Sequence, residues 1–550
     1  MAARPLLVTG RIATLAGHDG PGWVDAIAIR DGRVVAAGSL PDVADGLRGS
    51  VGRLDLEPDE VAIPGLTDAH LHLAEAALAR ARVQLEGSES IAELGDRVRI
   101  AAHARPASAA WIEGAGWDAD QVGAWPTADD LEAAAPGRRI ALWAHDHHAL
   151  LASRAALVAA GIGPDTRDPG GGVIRRDGHG TPTGVLHESA ARLVASLVPP
   201  PTTDDVEAAL RPMVADLVAL GVVAVHDPGG LSERRDLEGP IAAYRRLAAR
   251  GELGLRAHPC VRPEQLEAAG AEGLRSGQPL GPDPLDRLRL GWLKTFADGS
   301  LGSRTAALLA PLERRPGEPS PPNDGYGVWL TPPEELVAQV ARARSLGITT
   351  QIHGIGDAAV RAALDALAPT AGQTPLVPRV EHTQLIHPDD VPRFAALGIA
   401  ASMQPVHVRS DAAKARHLWG ARADGWAYAI GALDAAGALV AFGTDAPVEP
   451  ADPWPGLACA VTRAAPSWPA GTPPLGRQHA IPLWRAIRAA CIGPAISAAE
   501  TDRGRLVPGH RADLVILAAA VVDEPVETGG PLWHARPRRV LLDGEVVAGH

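Results

Sequence analysis

Between residue 61 and about residue 447 the chain repeats one unit eight times: a short apolar segment that closes on a polar residue, then a stretch of helical periodicity. The segments lie in LEPDEVAIPGLTDAH, VVAVHD (222–227), LRAHPCV (255–261), LRLGWLKTFADG (288–299), ITTQIHGIGD (348–357), RVEHTQ (379–384), IAASMQPV (399–406) and LVAFGTDAP (439–447). Intervening stretches such as TTDDVEAALRPMVADLVALG and HPDDVPRFAALG carry Thr or Asp near their start and Gly at their end, the residues that start and stop helices. Strand and helix alternating eight times predicts an α/β fold, a (β/α)8 TIM barrel, whose chemistry sits where the strands end.

Two regions fall outside that pattern. AIAIRDGRVVAAG near the start, and ADLVILAAA with RRVLLDGEVVAG near the end, alternate as strands do, with Asp-Gly turns. They predict a composite β-sandwich domain from residues 1–60 and 480–550. Residues 78–200 are far too many for a strand-to-helix connection, so they are expected to form an inserted subdomain after the first barrel strand. The barrel then takes residues 61–77 and 201–479.

Composition narrows the partners. The formal net charge is −13, which excludes the clustered Lys and Arg of a nucleic-acid footprint. Apolar runs break well before the ~18 residues of a membrane span, and MAARPLLVTGRIATL lacks the apolar core of a secretion leader. Cys260, Cys459 and Cys491 lie too far apart for a disulfide framework or a Cys-based zinc site. A cytoplasmic protein acting on a small molecule, with no nucleic-acid or membrane partner, is the expectation.

The polar residues that close the segments carry the chemistry. His70 and His72 follow the first, Lys294 stands in the fourth, His353 in the fifth, His382 in the sixth and Asp445 in the eighth. In a strand, residues i and i+2 share a face, so His70 and His72 would point together. An HxH pair is weak alone; four strand ends with His or Asp in one barrel point to a metal site. Imidazole and carboxylate donors suit Zn²⁺, and Fe or Mn by geometry.

PGLTDAHLH, the lysine of LKTFADGSLGSRTA, HGIGD, RVEHTQ and GTDAP, in this order, resemble the metal-dependent amidohydrolase superfamily, specifically amidohydrolase family 3, the YtcJ-like proteins. The resemblance extends over nearly the whole chain, through GGVIRRDGHGTPTGVLHE (171–188) to GRLVPGHRADLVIL (504–517). It implies that His70, His72, His353 and His382 bind one or two zinc-type ions. Asp445 then touches the metal and acts as general base and acid, and His382 is also a candidate donor to the oxyanion. Lys294 stands where two-metal relatives carry a carboxylated lysine, a role that arginine cannot fill. Only Lys294 and Lys414 are lysines among 52 Lys plus Arg, which is consistent with that chemistry; an ion pair with Asp298 or Asp445 is the alternative for Lys294. A homodimer is expected from resemblance alone.

The implied reaction is hydrolysis of a non-peptide carbon–nitrogen bond in an amide, formamide or cyclic amide. A deaminase using the same site, or a non-catalytic regulatory protein on the same scaffold, are the competing readings. Asp118, His148, Asp298 and Arg304 are candidate substrate residues, and Asp227 a supporting group. His145 and His147 are expected to be surface or structural, and Asp357 to cap the helix after the fifth strand. Trp117, Trp292, Trp419, Trp426 and Trp454 are read mainly as core, with pocket lining the alternative.

Overall fold

The computed structural model describes residues 5–47, 50–104, 111–119, 121–144, 149–169, 172–229, 237, 239–302, 304–314, 322–524 and 528–549. It divides into two compact units, Met1–Ala76 with Leu210–His550, and Ala77–Ala209.

In the first unit eight short strands run β1 (Leu66–Asp68), β2 (Val222–Asp227), β3 (Arg256–Pro259), β4 (Leu293–Phe296), β5 (Thr350–Gly354), β6 (Arg379–His382), β7 (Ala400–Met403) and β8 (Val440–Phe442). The ladders β1–β2–β3 and β4 through β8 are all parallel. Two seams close the ring. At one, Lys294 N donates to Val261 O at 2.9 Å; at the other, Ala69 N donates to Phe442 O at 2.9 Å and Asp445 N to His70 O at 2.7 Å. The result is a TIM-type barrel.

The helices between strands form where capping residues license them. Thr203–Ala219 opens with Asp204 and Asp205 in its first turn, which favours the positive end of the helix dipole. Val391–Leu397 ends on Gly398, whose φ of 63° is the left-handed conformation glycine adopts without a Cβ clash. After β5, Gly356 holds the N-cap of Asp357–Leu367; Asp357, expected as the cap, sits one residue inside and accepts Leu309 N at 2.8 Å.

The apolar run before His70 reads as one barrel strand but belongs to two sheets. Glu60–Pro64 pairs antiparallel with Leu514–Ala518, while Leu66–Asp68 pairs with β2. The break is at Gly65, where a Cβ would lie 2.6 Å from Val223 Cγ2. Periodicity cannot show such a break, because both halves are buried on every side. Both chain ends supply one connected eight-stranded sheet. In order along it lie Glu545–Ala548, Arg539–Leu542, Leu514–Ala518, Glu60–Pro64, Leu6–Ala13, Trp23–Arg30 and Arg33–Gly38, with Gly52–Asp55 beside Leu6–Ala13. One face buries Val8, Ile12, Ile27, Leu514, Ile516 and Leu541.

The second unit contains a six-stranded sheet, with Ile112–Trp117, Ile140–Ala144 and Ala149–Ala152 at its centre. Trp117 is buried in this unit, and Trp292, Trp419 and Trp454 are buried in the first, so these four pack the interior. Cys260, Cys459 and Cys491 are buried and free, and no helix among the described residues is long and apolar enough to cross a membrane.

A charged clamp fastens β3 to the terminal sheet. Arg256 Nη1 donates to Asp513 Oδ2 at 2.9 Å, Arg256 Nη2 bonds Asp543, and Asp543 N donates to Asp513 Oδ1 at 3.0 Å. Arg256→Ala leaves two largely buried carboxylates with one cation fewer and is expected to cost about 3 kcal/mol. Denaturant unfolding followed by tryptophan fluorescence measures this; an unchanged midpoint would show that the clamp contributes nothing.

Candidate metal centre

Asp68 ends β1, and its buried carboxylate staples that strand to the end of β8. It accepts from His70 N at 3.1 Å, Thr444 N at 3.0 Å and Thr444 Oγ1 at 2.6 Å. This close approach requires Gly443, where a Cβ would lie 2.5 Å from His70 N and 2.9 Å from Asp68 Oδ1. The staple delivers Asp445 against the two histidines.

Asp445 Oδ1 lies 3.4 Å from His70 Nε2 and 3.4 Å from His72 Nε2. Its Oδ2 lies 3.3 Å from His407 Nε2 and 3.9 Å from His382 Nδ1. The donor atoms of His70, His72 and Asp445, and those of His382, His407 and Asp445, each fall close enough together to share an ion. The His382 ring centroid is 4.8 Å from that of His70 and 4.4 Å from that of His353. The structure therefore brings His70, His72, His353, His382 and Asp445 to one place. His382 and Asp445 hold left-handed backbone, with φ of 70° and 62°, a strained conformation for non-glycine residues that clusters at functional sites.

Each ring has its outer nitrogen engaged. His70 Nδ1 meets Glu381 Oε2 at 2.6 Å, His72 Nδ1 meets Gly229 O at 2.6 Å, and His382 Nδ1 meets Gln404 Oε1 at 2.8 Å. Since a carbonyl or carboxylate oxygen only accepts here, the proton sits on Nδ1 and Nε2 is left bare in the neutral ring. His353 is reversed: its Nε2 bonds Gly299 O at 3.0 Å. Asp227 supports His72 indirectly by accepting Gly229 N at 2.8 Å and Tyr244 Oη at 2.6 Å.

Burial opposes charge on every ring. It pushes His70 down to about 4 and His353 to about 3, and His382 well below the usual imidazole value. Burial also opposes charge on His72 and His407, but Asp445 outweighs it and raises both. Asp445 itself is held well below the carboxylate range, its burial being overcome by the surrounding imidazoles, His407 and His72 foremost. Lys294 is fully buried and its Nζ has no hydrogen-bond partner among the described residues, so it makes neither of the ion pairs that were its alternative. Burial, reinforced by the charge of Arg262, brings its amine down to about 8.

Asp298 is buried behind the site. It accepts from Ala307 N at 2.8 Å, Ile355 N at 3.0 Å and Gly356 N at 2.9 Å, so it fastens the loop after β4 to the end of β5. Gly299 permits that loop, since a Cβ there would lie 2.0 Å from Thr305 Oγ1. Arg304 is half-buried in the same loop with a φ of 59°. Asp118 belongs to the second unit, where it is half-buried and follows the strand Ile112–Trp117. His148, with His145 and His147, lies outside the described residues.

Sequence reasoning missed His407 and Glu381. His407 stands one residue beyond IAASMQPV, and the rule that found the other histidines, a polar residue just past a strand, would have found it. Glu381 was masked by its neighbour His382; its other oxygen lies 3.0 Å from Arg379 Nε.

A profile described as the amidohydrolase family matches residues 58–548. The chain belongs to the amidohydrolase family. This amidohydrolase is 31% identical over 534 residues to "Putative amidohydrolase YtcJ" of Bacillus subtilis (strain 168), covering 95% of this chain and 96% of that one. It is 28% identical over 552 residues to "N-substituted formamide deformylase" of Arthrobacter pascens, with 94% of each chain covered. Among solved structures, an uncharacterized metal-dependent hydrolase from Pyrococcus horikoshii OT3 superposes with a TM-score of 0.75 at 28% identity, covering 94% of this chain and 97% of that one.

Gly443→Ala tests the staple. Forcing a methyl group against His70 N is expected to cost about 1–3 kcal/mol, as overpacking does. Gly425→Ala is the control, because a Cβ there meets nothing within 4 Å. Thermal unfolding of both variants checks this; equal midpoints would remove the steric argument.

Proposed function

We propose that this amidohydrolase hydrolyses a non-peptide carbon–nitrogen bond, in an amide, formamide or cyclic amide, with zinc held by His70, His72, His353, His382 and Asp445. The observation that carries the reading is the direction of the unspent donors. The outer nitrogens of four rings are engaged, whereas His70 Nε2 and Lys294 Nζ are buried with no hydrogen-bond partner among the described residues. Imidazoles with fixed outer nitrogens are what a metal requires of its ligands, and burial already favours the neutral form of His70, His353 and His382. The residues present fit such an ion.

A bound ion of this type acidifies water and polarises a carbonyl. The chain's own residues do the rest. His407 Nε2 lies 3.3 Å from Asp445 Oδ2 and orients the carboxylate, which takes the proton of the attacking water. That proton passes to the leaving nitrogen as the carbon–nitrogen bond breaks, so water and amide become acid and amine. His382 donating Nδ1–H to Gln404 Oε1 leaves its Nε2 free to serve as a ligand. Lys294 can add carbon dioxide: its neutral amine forms the nitrogen–carbon bond, loses a proton, and becomes a carbamate that would admit a second ion.

The double substitution His70→Ala with His72→Ala is expected to remove bound metal, measured by elemental analysis. Asp445→Asn is expected to lower kcat by about 10²–10⁴-fold on N-acyl or N-formyl amines. Release of amine and acid supports the amidohydrolase reading, and release of ammonia alone would replace it with deamination. Full metal content and activity in the histidine variant would sink the site assignment.

A further inference from the structure

Five arginines are buried among the described residues, and four of them have an evident partner. Arg256 bonds Asp513, Arg379 lies against Glu381, Arg503 against Glu500, and Arg463 donates to the carbonyls of Leu475 and Ala427. Arg262 differs. It is 6% exposed, and its Nε and Nη1 are buried with no hydrogen-bond partner among the described residues. It forms no ion pair among the described residues; Glu264 and Glu75 act on it only through their field. An unpaired buried guanidinium is costly, and a chain that keeps one needs a reason.

Its position supplies the reason. Arg262 lies three residues beyond the end of β3, at the same end of the barrel as His70 and His72. Its Cζ sits 4.4 Å from the centroid of the Phe296 ring, whose centroid is 5.0 Å from that of His353 and 4.8 Å from Lys294 Nζ. Its aliphatic stem packs beside Gly229, the residue whose carbonyl holds His72; a Cβ on Gly229 would lie 3.7 Å from Arg262 Cδ. One aromatic ring separates the unpaired cation from a ligand histidine.

We propose that Arg262 binds a carboxylate on the substrate, so that the scissile amide belongs to a molecule carrying a carboxylate near that bond. The proposal rests on the reading of this site as a carbon–nitrogen hydrolase. Substrate binding would give the guanidinium the anion that the fold withholds, and would orient the amide by a charge-assisted contact. The rival partner is a carbamate on Lys294, because Arg262 and Lys294 lie against the same Phe296 ring; matched substrate pairs separate the two.

The experiment uses zinc-loaded enzyme and matched pairs that differ in one group. N-acetylleucine is compared with N-(3-methylbutyl)acetamide, and the N-formyl compounds likewise. The wild type is expected to favour the acids in kcat/KM by about 10–100-fold, the range of a hydrogen bond to a charged group. Arg262→Gln should remove that preference while changing the neutral amides less than about threefold, and Arg262→Lys should restore part of it. Equal use of both members by the wild type, or an equal loss on both in Arg262→Gln, would overturn the proposal; the second result would mark a structural or carbamate-pairing role. If neither pair is hydrolysed, the acyclic amide and formamide readings of the site fail, and calorimetric binding of N-acetylleucine then decides separately. Weaker binding in Arg262→Gln upholds the anion site, and unchanged binding or no binding to the wild type rejects it.

Discussion

The seam between the first and last barrel strands is the constraint on which the site depends. Asp68 accepts three hydrogen bonds there, and Asp445 N reaches His70 O, so two stretches 376 residues apart in sequence become one rigid corner. Only a residue without a side chain can occupy position 443 at that distance. Every donor contact of Asp445 follows from this corner.

Around the corner the polar groups separate into two populations. Those that build the scaffold are satisfied: Asp298 by three backbone amides and Asp227 by Tyr244 and Gly229. Those that face the reaction are not, and Lys294 Nζ, His70 Nε2 and two nitrogens of Arg262 lack partners among the described residues. A site held rigidly by satisfied neighbours spends little of its binding energy on reorganisation.

The barrel was legible because each strand end carries its own signal, an apolar run followed by a chemically active residue. His70, His72, His353, His382 and Asp445 could be named for that reason, without knowledge of what lies between them. What escaped had no local signature. The division of the run before His70 depends on Val223 crowding Gly65, a contact between residues more than 150 positions apart. Glu381 and Asp68 act through tertiary hydrogen bonds, and an alternating strand pattern says nothing about which carboxylate meets which histidine. His407 was hidden only by ending a segment one residue early. The structure also exposed Arg262, since a missing partner is visible only when all neighbours are placed.

The divided strand has a consequence for how the molecule is made. Glu60–Pro64 waits for Leu514–Ala518, and Leu66–Asp68 is sealed only when the Thr444 region arrives. At ribosomal rates of about 5–20 residues per second, the segment bearing His70 and His72 remains without its closing neighbours for some tens of seconds. Through that interval it offers unpaired backbone and an apolar run to whatever else is nearby. Topologies of such high contact order fold slowly, so the arrangement that makes the finished corner rigid also leaves the nascent chain exposed for longest at the same residues.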